Sequence, residues 1–380
     1  MNVKTRNLIP GCILADDVYK KSNTPLLRKK TILTEEHLHM LSIFFVKRVK
    51  VEPILVNGEV FKPGEEVEEV NEELELKESD LKHDITEKED TYIDYYLRAV
   101  QQFKRLFNDW QGGVKVDAFA VRNVFLPLYE QSPTKNDLMQ LHHYSTKQDY
   151  IYFHSVAVSV FSTLLGKRLG LKNGEVMQLG IAGLLADCGM AKLPFNAFEK
   201  KSSLTAEQYE EVKKHPIIGY RMLEETQGLT KNALVGILQH HEREDGSGYP
   251  LKVRGSKLHQ YAKVIAIADV FHAMTSERYY RSKQSPYKVI DSLKVDQFGK
   301  LDHSLLNHLI HLTVDLSIGT KVRLNSGAIG EVLYQNSQHP TRPILKLIDE
   351  GDALLDLLKH PDIIIEEELV DLLKEDDLNA

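Results

Sequence analysis

The chain has 380 residues, of which 42% are apolar and 27% charged, with a formal net charge of −7; this is the profile of a globular protein of two or three domains. The negative balance argues against a non-specific nucleic-acid binder, whose surface must displace counterions with Lys and Arg, but it leaves room for a small anionic ligand. Cys12 and Cys188 are the only cysteines, and there is neither a signal-like start nor an apolar run of membrane-spanning length. The expectation is therefore a cytoplasmic protein with free thiols and no membrane span.

Residues 1–64 mix short β-rich runs such as "ILVNGEV" with "TEEHLHMLSIFFVKRVKVEP", a helical stretch followed by a strand, which reads as a small α+β domain. Residues 65–91 read as an acidic linker. Between Glu65 and Asp90 thirteen acids face three lysines, a net of −10, so that the rest of the chain carries +3; such a segment cannot bury enough apolar surface to fold alone.

Helical periodicity begins near Tyr92. Phe103, Leu106, Phe107 and Trp110 follow i, i+3, i+4, i+7, the stripe of a helix packed along one face. Helical segments continue to about residue 312, with a capping-box start from Thr205 to Gln208. After Val314 the chain alternates apolar and polar residues around Asn325-Ser326-Gly327, so residues 313–380 read as a small β-rich domain with an acidic tail. The predicted fold is mainly α: a central all-α bundle over 92–312, flanked by two small terminal domains.

Several polar residues of the helical region lie on apolar faces. His154 shares a stripe with Ala157, Val158, Phe161 and Leu165, and Asp187 follows Leu184, Gly183 and Gly180 at helical spacing. His241 lines up with Ile237, Leu238 and Leu234, with His240 about 100° round the helix; Asp269 shares a face with Ala262, Ile265, Ala266 and Ala273. His215 precedes Pro216, a residue favoured in the first turn of a helix, and so belongs at a helix junction. Burying an unpaired carboxylate is very costly. Two inward carboxylates with four inward histidines therefore point to a metal cluster.

"HHEREDGSGYP", residues 240–250, resembles the HHExxDGxGYP signature of the HD-GYP family, a branch of the HD phosphohydrolase superfamily. The other landmarks follow in the family's order: "HS" at 154–155, "LLADCGMAKLP" at the place of the HD dipeptide, "HP" at 215–216 and "ADVFHAMTSERYYR" at 268–281. The resemblance covers roughly residues 140–300 and implies an HD-type helical bundle that hydrolyses cyclic di-GMP with two divalent ions, iron or manganese. On this chain it implies His154, Asp187, His215, His240, His241 and Asp269 as metal ligands, with Asp187 bridging the ions and activating water. Gly248, Tyr249 and Pro250 would lie near the nucleotide, and Arg278 and Arg281 would hold its phosphate oxygens, a task suited to guanidinium geometry.

The chain also departs from the family's pattern. Where the family has His-Asp followed two residues later by Gly-Lys, it reads Ala186-Asp187-Cys188-Gly189-Met190, and Tyr150 stands where some members carry a glutamate. By that resemblance one ion would keep a full set in Asp187, His215, His240 and His241 and the other would retain His154, Asp187 and Asp269, so retention of a single ion is the alternative. The functional expectation is a phosphodiesterase of reduced efficiency. Its alternative is a catalytically degenerate domain that senses cyclic di-GMP or docks a protein such as a diguanylate cyclase. Exposed helices leave room for a homodimer.

Overall fold

The computed structural model describes residues 1–19, 25–27, 29–34, 37–38, 41, 46–55, 60–61, 90–195, 197, 200, 203–278, 284–348 and 353–369. The acidic linker, apart from residues 90–91, and the acidic tail fall outside these, as do most of the helix expected near residues 35–45 and Arg281. The chain divides into two units, Met1–Thr91 and Tyr92–Ala380.

In the first unit β1 (Asn2–Lys4) pairs antiparallel with β4 (Arg48–Lys50), and β2 (Val18–Tyr19) pairs antiparallel with β3 (Pro25–Leu27). Val3, Cys12, Leu14, Leu33, Val49 and Val51 are buried and form its core.

The second unit is helical up to residue 313. Helix α1 (Tyr92–Gln111) lays Phe103, Phe107 and Trp110 along its buried face, with Phe103 and Trp110 edge to face at 5.6 Å. Helices α2 (Ala118–Glu130) and α3 (Lys135–Gln140) follow. The centre of the bundle is formed by α4 (Tyr150–Arg168), α5 (Asn173–Leu185) and α9 (Gln260–Thr275), which bury residues on nearly every side. Helices α4 and α5 meet closely at Gly180 and Gly183, and Ser159 Oγ donates to the Gly180 carbonyl at 2.7 Å. Three shorter helices, α6 (Ala206–Val212), α7 (His215–Leu223) and α8 (Lys231–Gln239), close one end. Helix α6 starts at a capping box in which Thr205 and Gln208 satisfy each other's backbone N–H groups.

Helices α10 (Pro286–Asp296) and α11 (His303–Thr313) lead to a five-stranded antiparallel sheet in the order β8-β7-β6-β5-β9. Its strands are β5 (Lys321–Leu324), β6 (Ile329–Tyr334), β7 (Ile344–Leu347), β8 (Leu354–Asp356) and β9 (Ile365–Leu369). Alternation buries Val322, Leu324, Val332, Leu345 and Ile365. The sheet docks on α10 through an Arg342–Asp291 ion pair at 2.7 Å and a 2.6 Å hydrogen bond from Ser285 Oγ to the Ile365 carbonyl. Among the described residues no helix is long and apolar enough to cross a membrane.

Candidate metal centre

Six side chains that the sequence places in five separate segments meet among the central helices. Helix α4 supplies His154 and α9 supplies Asp269, both on buried faces. Helical counting places Asp187, His240 and His241 on helix faces; the structure puts all three just past helix ends. Helix α5 stops at Leu185 and Asp187 heads a 3-10 turn, Cys188–Lys192, while α8 stops at Gln239 with His240 as its C-cap. His215 is the first residue of α7, ahead of Pro216. A residue beyond a helix end is freer to turn its side chain across the bundle than one held on a face, which is how ligands from different elements reach one point.

Asp187 stands at the middle. Its Oδ1 lies 3.1 Å from His215 Nε2 and 3.8 Å from His240 Nε2, while its Oδ2 lies 3.4 Å from His154 Nε2. Asp269 closes the other side, with Oδ1 3.1 Å from His154 Nε2 and Oδ2 3.5 Å from His241 Nδ1. Asp187, His215, His240 and His241 each bring one donor atom within 4.8 Å of all the others. His154, His215 and His240 are buried, whereas the side chains of Asp187 and His241 keep 14% and 18% exposure, which opens the cluster to a ligand.

The tautomers favour a cation. His215 Nδ1 is 2.7 Å from the Val212 carbonyl and His240 Nδ1 is 2.6 Å from the Ile237 carbonyl. A carbonyl only accepts, so both Nδ1 atoms carry protons, and in the neutral rings both Nε2 lone pairs face Asp187 Oδ1. Those two Nε2 atoms are only 3.3 Å apart. Lone pairs and a carboxylate oxygen converging in this way repel one another unless a positive charge sits among them. The donor set, mixed imidazole and carboxylate, suits a transition-metal ion.

Electrostatics point the same way. Burial by itself would raise the Asp187 pKa, but contacts with His154, His215 and His240 hold its carboxyl well below the usual carboxylate range. Asp269 is likewise held low, chiefly by His154, against its burial. Burial disfavours charge on His154, yet Asp187 and Asp269 outweigh it and raise its pKa. Burial, reinforced by neighbouring His240, pushes His241 well below the ordinary histidine range. Two carboxylates thus stay ionised in a desolvated place, as ligands for a divalent ion must.

The residues expected near the ligand flank this cluster. The Tyr249 ring lies 4.7 Å from the His241 ring, and Tyr249 N donates to the His241 carbonyl at 3.2 Å. Gly248 leaves no room for a side chain, because a Cβ there would stand 2.4 Å from the Glu242 Cα and the His241 carbonyl. Arg278 sits on the His154 side, its guanidinium 4.3 Å over the Tyr150 ring and bonded to the Tyr150 hydroxyl. Ala186 and Met190 are buried and offer the cluster no donor of its kind, and Cys188 packs toward Gly219, its thiol pushed up by burial, apart from the four clustered donors.

The supporting roles of three residues escaped sequence reasoning. Tyr150 OH and His272 Nδ1 lie 3.0 and 3.1 Å from His154 Nδ1, and together they fix that ring. His272 follows Asp269 by three residues, so helical counting from Asp269 would have found it. Buried Glu242 accepts the backbone N–H groups of Leu251 and Lys252, the latter at 2.9 Å, and so clamps the loop that carries Tyr249. Its signal was a carboxylate beside the histidine pair, with nothing in the local sequence to say which way it turned.

Comparison with known proteins locates the similarity in this region. The HD domain family profile matches residues 138–305. The cyclic di-GMP phosphodiesterase PA4108 of Pseudomonas aeruginosa is 32% identical over 212 residues, 56% of this chain and 51% of that protein. The cyclic di-GMP phosphodiesterase PdeB of Borreliella burgdorferi is 28% identical over 209 residues, 55% of each chain. The 3'3'-cGAMP-specific phosphodiesterase 1 of Vibrio cholerae is 28% identical over 190 residues, 48% of this chain and 44% of that one. The chain spans about half the length of the curated relatives it matches.

Proposed function

We propose that the chain carries an HD domain and is a metal-dependent phosphodiesterase acting on a cyclic dinucleotide, with cyclic di-GMP as the first candidate. The observation that carries this reading is Asp187, whose two oxygens face His215 and His240 on one side and His154 on the other. The names of the similar phosphodiesterases support the substrate class.

Iron or manganese ions bound here would acidify a water and neutralise charge on the phosphoryl oxygens. The four-donor set of Asp187, His215, His240 and His241 would fill first; His154, Asp187 and Asp269 offer a second, weaker set because Ala186 adds no ligand. In the net reaction the oxygen of water bonds to phosphorus, one phosphorus–ribose oxygen bond breaks, and the released ribose oxygen takes a proton, giving a linear dinucleotide. Tyr150 and His272 hold the His154 ring, and the Glu242 clamp holds Tyr249 against His241. Arg278, by its place beside Tyr150, is the candidate phosphate ligand on the far flank, with Arg281 proposed alongside it.

The loop clamp gives a direct expectation. Glu242→Ala leaves two N–H groups without their acceptor and frees Tyr249, so turnover is expected to fall about tenfold to a hundredfold. Glu242→Gln keeps an oxygen acceptor and is expected to retain most of it. Steady-state kinetics on the two variants separate the clamp from a general loss of charge.

A second reading is favoured by Ala186 and Met190, which place an apolar methyl and a thioether where the resemblance leads one to expect a ligand and a proton donor: a domain that binds the nucleotide without cleaving it. Turnover of cyclic di-GMP and 3'3'-cGAMP by native protein and by the Ala186→His/Met190→Lys variant decides between them. Native protein is expected to yield the linear product slowly, and the double variant faster. Cleavage by the double variant alone would replace the enzyme reading with the sensor.

A further inference from the structure

A cavity of about 710 Å3 opens beside His241 and Tyr249. It lies in the size range of sites that enclose a whole small-molecule ligand, and it is far larger than one phosphate group requires. Its charge is opposite to that of the chain. Lys213, Lys214, Arg243, Lys252 and Lys300 line it against a single carboxylate, Glu210, in a protein whose net charge is −7.

These cations are not equally available. Lys213 pairs with Glu210 at 2.7 Å and Lys214 pairs with Glu211. Arg243 is braced by backbone carbonyls, donating to Glu242 O at 2.8 Å, which positions the guanidinium without neutralising it. Lys252 and Lys300 form no ion pair with an acid among the described residues. Asp245 is already engaged by the hydroxyl and N–H of Ser247 at 2.6 and 2.9 Å, which hold its carboxyl low ahead of any contribution from Lys300. Three positive charges therefore face a cavity that touches His241 of the donor cluster, and two aromatic rings, Tyr209 and Tyr249, stand in its wall. Tyr209 is 49% exposed, with Lys213 Nζ 4.6 Å from its ring centroid. Cations for a phosphate beside rings for a base are the two elements of nucleotide recognition.

We propose that this cavity is the subsite for the second nucleotide of the substrate: Lys252, Lys300 and Arg243 hold the phosphate that is not cleaved, and Tyr209 receives its base. The inference rests on the phosphodiesterase reading and extends it. With the scissile phosphate at Asp187, the other half of the molecule is gripped on the His241 side. The site thereby selects dinucleotides over shorter phosphodiesters, and it holds the linear dinucleotide after cleavage.

Equilibrium binding of a cleavage-resistant phosphorothioate analogue of cyclic di-GMP to the full chain, followed by calorimetry, tests this. Lys252→Ala/Lys300→Ala is expected to weaken binding about tenfold or more, since hydrogen bonds to charged groups are the strong ones. Lys252→Arg/Lys300→Arg is expected to stay within about threefold of native, since it keeps both charges. An alanine variant that binds as tightly as native protein overturns the subsite and leaves the phosphodiesterase reading standing. A native protein that does not bind the analogue at all overturns both.

Discussion

Asp187→Ala is expected to remove cyclic di-GMP turnover by about a thousandfold or more, equivalent to about 4 kcal/mol of barrier, and to strip the protein of bound metal. The size follows from geometry. Among the described residues Asp187 is the one carboxylate paired with His154, His215 and His240 together, so its loss breaks both halves of the cluster at once. Losing a single histidine leaves the other donors in place. His215 and His240 would keep the hydrogen bonds to Val212 and Ile237 that orient them, so the helices need not move. The fold should therefore persist, and circular dichroism should distinguish loss of chemistry from loss of structure. Asp187→Asn keeps the shape but exchanges one acceptor oxygen for an amide nitrogen, and it too is expected to lose the shared ligand. Retention of a tenth of native activity in Asp187→Ala would contradict this role.

The second large effect is expected at Gly189→Ala, which damages the site from beneath. A Cβ at position 189 would stand 2.1 Å from the His215 carbonyl oxygen and 2.6 Å from the Gly219 backbone nitrogen. Both neighbours are backbone of α7, so no side chain can rotate away. The helix itself must shift, and its first residue is His215. Overpacking of this kind costs typically 1–3 kcal/mol. The expected result is a clear fall in the thermal midpoint together with loss of the His215–Asp187 contact and of metal affinity. Gly174→Ala is the control, because a Cβ at Gly174 meets nothing within 4 Å. An unchanged midpoint and unchanged metal affinity in Gly189→Ala would show that α7 has more freedom than its packing indicates.

The mainly helical character of the chain and its C-terminal strands were legible because each rests on local periodicity: the Phe103, Phe107, Trp110 stripe and the alternation through Val322 and Leu324 are both buried in the structure. The cluster was legible for a different reason. Polar residues at apolar spacing, such as His154 and Asp269, had no local explanation, and the HHEREDGSGYP stretch carried a specific resemblance. Helical counting failed in detail at Asp187, His240 and His241, since a stripe does not reveal where the helix ends. Contacts made across the bundle were beyond it altogether. Tyr150 and His272 support His154 from α4 and α9. Lys252 and Lys300, distant in sequence from Tyr209, line one cavity with it because of tertiary packing alone. The docking of the sheet on α10 through Arg342 and Asp291 belongs to the same class. Periodicity tells which faces turn inward, and it is silent on which faces meet.

The most direct test of the metal-centre reading is the transition-metal content of native protein purified without oxygen, measured by mass spectrometry on the same sample whose cyclic di-GMP turnover is followed. Convergence of Asp187, His215, His240 and His241 on one point predicts at least one tightly held iron or manganese per chain, with turnover that a chelator removes and the returned metal restores. A protein that takes up no transition metal, even when iron and manganese are supplied, would contradict it.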